Sequence, residues 1–203
     1  LIPTDFTLPQ PLLQTNAYYG ASVATSADGT WMVVGAPAAA SPTGVGRAFI
    51  YERVADAWAL RTTLSGAAGS EFGAAVAVSG AADDRVIVGS AVFSLAATRA
   101  PAGLVPGDRF GHAVSLSSET LAVGAPFRTA TGAAFIFERN LTGANAFGQR
   151  ALISGAEAGE QFGASLALLQ ANLVVGAPFA TGGGRVSLRN VDQGGSNAWG
   201  ETA

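Results

Sequence analysis

Histidine occurs once in this 203-residue chain, at position 112, with Asp108 before it and Ser115 after it. Those three residue types can form a nucleophile, a base and an orienter, provided the fold brings them within hydrogen-bond reach of one another. The surrounding residues lack the G-x-S-x-G context of a strained nucleophile turn. His112 is therefore read as a partly buried or channel-facing imidazole, not as a general base. Glycoside hydrolysis would need two carboxyl groups at a defined separation. Glu71, Asp108, Glu157 and Glu160 are the candidates, and all four precede an aromatic-Gly pair, where loop charge is ordinarily solvated. The chain has no cysteine, so thiolate chemistry and disulfides are excluded. No catalytic residue, cofactor or metal is assigned.

The elements that must position these groups repeat. Phe110 to Pro126 reads FGHAVSLSSETLAVGAP: an aromatic-Gly pair, an alternating stretch, a polar turn, a short apolar run and Gly-Ala-Pro. His112, Val114 and Leu116 alternate with Ala113, Ser115 and Ser117, the period of a half-buried strand. Leu121 to Val123 is a run suited to burial on both faces. Gly124-Ala125-Pro126 ends it, because proline cannot donate to a ladder and glycine permits a close bend. The glycine after the aromatic is expected to let two backbones approach, with the ring capping the next unit.

The phrase recurs from Tyr19-Gly20 to Pro37, from Phe72-Gly73 to Ala91 and from Phe162-Gly163 to Pro178. Arg47 to Arg53 and Ala133 to Arg139 (AAFIFER) supply third strands, and Trp58 to Leu64 a fourth. Four antiparallel strands in about 46 residues is the size of one propeller blade. The aromatic-Gly spacings are 53, 38 and 52 residues, so the second unit is short by roughly one strand and a turn. Its outer strands are expected to be abbreviated. The tail after Asp192 is Gly-rich and is expected to give a weak last strand through Trp199 or to fray.

These residues resemble the FG-GAP repeat, which builds the β-propeller of integrin α-chains. The resemblance spans units at about 20–65, 73–105, 111–154 and 163–203, with residues 6–13 a candidate closing outer strand. It implies an all-β propeller or propeller-like array of about four mostly four-stranded blades. A closed four-bladed ring and an open array with pairable edges both remain open at this point. The family's calcium loop resembles Asp-x-Asp-x-Asp-Gly, but Asp28-Gly29 is preceded by Ala24 and Ser26, and Asp83-Asp84 lacks the alternating spacing. Both are read as structural turns.

The resemblance also places ligands on the loops after Gly-Ala-Pro and before the aromatic-Gly pair. These are residues 38–46, 127–132 and 179–184, together with 67–71 and 103–109. Phe127 and Arg128 stand out there, because aromatic and Arg side chains are common interface anchors. Phe179 is the counterpart in the last unit, and Asp108 and Arg109 complete the candidate set.

All eleven basic residues are arginine and the formal net charge is −3, which offers no footprint for nucleic acid. No apolar run reaches the roughly 18 residues of a membrane-spanning helix. A chain that opens at Leu1 without Met is expected to be a mature or excised segment. Asn140-Leu141-Thr142 is a glycosylation acceptor sequence. With the resemblance, it favours an extracellular or cell-surface location. The expected function is non-catalytic recognition or adhesion, with a protein or glycan ligand held by the loops. The alternative is a structural subunit joined to neighbouring subunits through edge strands, and a glycan-processing hydrolase is the remote third.

Overall fold

The structure, a computed structural model, describes residues 17–40, 45–68, 72–78, 85–88, 91–94, 97–99, 104–105, 107–117, 119–142, 147–196 and 198–202. The candidate closing strand at 6–13, Glu71 and the Asp83-Asp84 turn lie outside these residues, as does part of the 38–46 loop.

Among the described residues four sheets follow one another along the chain, each a four-stranded antiparallel meander. The first holds β1 (Ser22–Thr25), β2 (Trp31–Ala40), β3 (Val45–Val54) and β4 (Ala57–Ala68). The second holds β5 (Val76–Val78), β6 (Arg85–Val88), β7 (Ala91–Ser94) and β8 (Ala97–Arg99). The third holds β9 (Val114–Ser117), β10 (Thr120–Ala125), β11 (Ala133–Arg139) and β12 (Phe147–Ser154). The fourth holds β13 (Ser165–Leu169), β14 (Asn172–Ala177), β15 (Arg185–Asn190) and β16 (Gly200–Glu201). The second unit keeps all four strands at three or four residues each, so its outer pair is abbreviated as expected. The last strand is the two residues after Trp199, and the indole itself is buried.

Every unit opens with the same turn. The residue before the aromatic is left-handed in three copies, Tyr18, Arg109 and Gln161, with φ between 50° and 56°. The following glycines, Gly20, Gly73, Gly111 and Gly163, have φ near +90°. A non-glycine in that region costs of order 1–3 kcal/mol, so surrounding contacts must hold it. They include short backbone bonds from His112 N–H to the Arg109 carbonyl and from Gly111 N–H to the Gly124 carbonyl.

In two copies the ring that follows this turn reaches the preceding sheet. Phe72 packs on Val33, Ala48 and Ile50 of the first sheet, and Phe162 on Ala122, Ala134 and Ile136 of the third. In these two copies the ring covers the preceding unit as well as its own, because it comes before its own first strand and fills the gap already open behind it. Phe110 stands between Ala77 of the second sheet and Phe135 and Phe137 of its own. Burying each such ring contributes about 1.5–3 kcal/mol.

Close backbone approach accompanies the ring. A Cβ on Gly124 would collide with the Gly163 carbonyl, and one on Gly35 with the Gly73 carbonyl. Gly132 forms a parallel bridge with Phe162. Hydroxyls add cross-sheet bonds: Ser22 Oγ donates to the Gly73 carbonyl, and Leu168 N–H donates to Ser115 Oγ. The core is thus a series of inter-sheet layers and not one central mass.

Candidate recognition face

Strand direction sorts the loops onto two ends. The aromatic-Gly turns and the segments after Gly-Ala-Pro share one end, and the β9–β10 and β13–β14 hairpins the other. On the first end, Phe127 N–H donates to the Asp108 carbonyl at 3.3 Å, tying the two candidate loops of the third unit together. The fourth unit repeats this bond, from Phe179 N–H to the Glu160 carbonyl at 3.2 Å.

Beneath each aromatic lies a carboxylate. Asp108 is 5% exposed and Glu160 fully buried, so neither is the solvated loop charge its sequence setting suggests. The reason is a cation supplied from further along the chain, since a buried charge persists only when paired and hydrogen-bonded. Asp108 Oδ2 accepts from Arg128 at 3.3 Å and from Val105 N–H at 3.1 Å. Glu160 Oε2 accepts from Arg185 at 2.7 Å, while its Oε1 accepts from the N–H groups of Ala156 and Glu157. Arg185 is a site residue that motif reading missed, and only its place at the start of a third strand, matching Arg47, could have flagged it.

Four of the five candidate ligand-binding residues meet directly. The Arg109 guanidinium lies over the Phe127 ring at 4.8 Å, and that of Arg128 over Phe135 at 5.1 Å. Phe127 is 42% exposed and Phe179 67% exposed. Asp108 and Arg128 therefore act beneath the surface, while Phe127, Arg109 and Phe179 present it. Glu157 stands near Phe179, and its carboxylate accepts from Thr181 N–H at 2.8 Å. Hydrogen bonding from the Thr181 side chain, and then from its backbone N–H, holds the Glu157 carboxyl below its ordinary value, with Arg185 adding a smaller electrostatic contribution.

The remaining candidates are dispersed. His112 is exposed, not partly buried, and Ser115 Oγ is engaged by Leu168 N–H. Asp28 closes its own hairpin: its Oδ1 accepts from Ser26 Oγ, Thr30 N–H and Thr30 Oγ1. That is the geometry of a structural turn. Among the described residues no group of three or more His, Asp or Glu is placed to hold a metal ion. Asn140, Leu141 and Thr142 are exposed just after β11. At the opposite end, a cleft of about 290 Å³ lies between the third and fourth sheets, lined by Glu119, Glu138, Arg150 and Trp199 among others. Its Glu138 and Arg150 neutralise each other at 2.5 Å.

Sequential four-stranded meanders packed face to face through inserted aromatics define a β-propeller array. The FG-GAP repeat family model matches residues 100–137, which run into β11 of the third unit. The chain carries an FG-GAP repeat there. A crystal structure from Bacteroides uniformis, provisionally assigned as a 6-phosphogluconolactonase, is similar over 97% of this chain with a TM-score of 0.58 and 13% identity. This chain spans 58% of that protein's length, and the likeness carries the fold alone. No curated protein matches.

Proposed function

We propose that the chain is a non-catalytic recognition module, of extracellular or cell-surface location, which binds a protein or glycan through the loops beside its aromatic-Gly turns. The observation that carries this reading is the pair of exposed rings, Phe127 and Phe179, each on a loop anchored to a buried carboxylate. Rigid aromatic contacts are favourable for binding because little conformational entropy remains to be lost. A ring over which Arg109 already lies offers both an apolar face and a positive rim to a ligand. Asn140 in an exposed turn is compatible with glycosylation of a secreted chain.

The test is retention of ligands by the immobilised chain, using a glycan array and a panel of extracellular-matrix proteins. The Phe127→Ala/Phe179→Ala variant should lose at least tenfold in affinity for whatever the parent retains, with its melting temperature unchanged. Equal retention by parent and variant would place recognition elsewhere and overturn this reading.

A further inference from the structure

The outward face of the fourth sheet is apolar and exposed. Leu169 is 72% exposed, Val186 71% and Leu188 44%. Val174 is half-buried beside them, paired in register with Leu188. The same strand phrase behaves differently one unit earlier: β10 is buried along both faces, while β14 alternates between buried and less buried residues.

The repeat shows what such a face receives. Counting from the conserved-in-repeat glycines, Val174, Val186 and Leu188 stand where the first sheet has Val33, Ala48 and Ile50, and the third has Ala122, Ala134 and Ile136. All six of those residues are at most 1% exposed, in clusters that include the aromatic ring of the following unit. The backbone is matched too. In the first sheet Gly35, Ser22 Oγ and the Gly73 carbonyl converge, with Ser22 donating to that carbonyl. In the fourth sheet Gly176 and Ser165 Oγ repeat the first two members, and the atoms nearest a Cβ on Gly176 all belong to Ser165, with no carbonyl of a following unit among them. Gly46 and Gly132 both lie against the backbone of the following aromatic, whereas the atoms nearest a Cβ on Gly184, at the same position, belong to Pro178.

We infer that this face is a docking site for one further FG-GAP unit, engaged through that unit's aromatic-Gly pair. Its glycine carbonyl accepts from Ser165 Oγ and rests on Gly176. The aromatic backbone lies along Gly184, and the ring covers Val174, Val186 and Leu188. The site selects this partner over a generic apolar surface because two side-chain-free positions and one hydroxyl are set for a backbone carbonyl. This proposal is independent of the loop-face recognition above, since it uses none of the exposed rings or buried carboxylates on which that reading rests.

The test extends the full chain by repeating residues 155–203 after Ala203 and follows tryptic cleavage after the arginines of the added unit. Docking predicts that the added unit is cleaved at least tenfold more slowly than in the same protein carrying Gly176→Ala in the original unit. Gly176→Ala is chosen because its Cβ meets only a rotatable hydroxyl, so the 203-residue chain should melt within about a degree of the parent. A Leu188→Glu change should expose the added unit to the same extent. Equal cleavage with and without Gly176→Ala, whether fast or slow, overturns the proposal. So does a 203-residue chain that sediments as a dimer and is split by Leu188→Glu, which would make a second copy the occupant.

Discussion

The Gly163 carbonyl lies directly against the Cα of Gly124, across the layer between the third and fourth sheets. A methyl group at position 124 would have to push two backbones apart, since the opposing atom belongs to the main chain and cannot rotate away. Gly124→Ala should therefore cost about 2 kcal/mol, within the range for overpacking. Urea denaturation followed by tryptophan fluorescence measures this, and a loss below about 0.5 kcal/mol would show that the layer yields.

Glu160 is the more deeply buried of the two loop carboxylates, with three polar partners. Removing one member of a buried pair leaves the other charge uncompensated, at a cost of about 3–5 kcal/mol. Arg185→Met should fall at or somewhat below the lower end of that range, because its own side chain is 32% exposed. Chemical denaturation measures the loss, and the Arg185→Met/Glu160→Leu double variant should recover part of it.

The Tyr19 hydroxyl meets that of Tyr51, and burial followed by this hydrogen bond raises the Tyr19 phenol well above its ordinary value. A raised folded value means that the unfolded chain loses its proton first as pH rises. The associated stability is fully present below the unfolded value of about 10 and declines above it. Tyr19→Phe should flatten the stability profile above that pH. It should also cost about 1 kcal/mol at neutral pH, for the lost hydrogen bond. Melting temperatures from pH 7 to 11 check both, and an unchanged alkaline slope would refute the assignment.

Glu157 carries the opposite sign. Its carboxyl is held low by Thr181, so the stabilisation is present above the ordinary value of 4.5 and is lost as pH falls through the lower folded value. Glu157→Gln should reduce the acid-side slope of stability while leaving it unchanged above about pH 6. A melting series from pH 2 to 7 on both proteins measures this.

The strands, their order and the shortened second unit were all legible in the linear chain. A period-2 pattern, glycine at a turn and proline at a strand end each act within a few residues, so local chemistry is enough to determine them. A close backbone approach at the glycine after the aromatic was legible for the same reason, because a residue without Cβ repeats there, but that Gly163 meets Gly124 was not. The exposed rings at 127 and 179 could be named from the loop phrase alone.

What the tertiary structure decided is everything that depends on a partner far away in sequence. Asp108 and Glu160 read as solvated charges until Arg128 and Arg185, 20 and 25 residues on, are brought beneath the same loops. Phe72 and Phe162 reach back onto the preceding sheet, whereas Tyr19 packs on Phe49 and Phe110 on Phe135 and Phe137 of their own sheets, a difference the shared turn does not encode. The apolar runs Leu121–Ala125 and Leu173–Ala177 are nearly identical in type, yet one is covered on both faces and the other on one. Burial is a property of neighbours, and the side of the fourth sheet that faces away from the third meets none among the described residues.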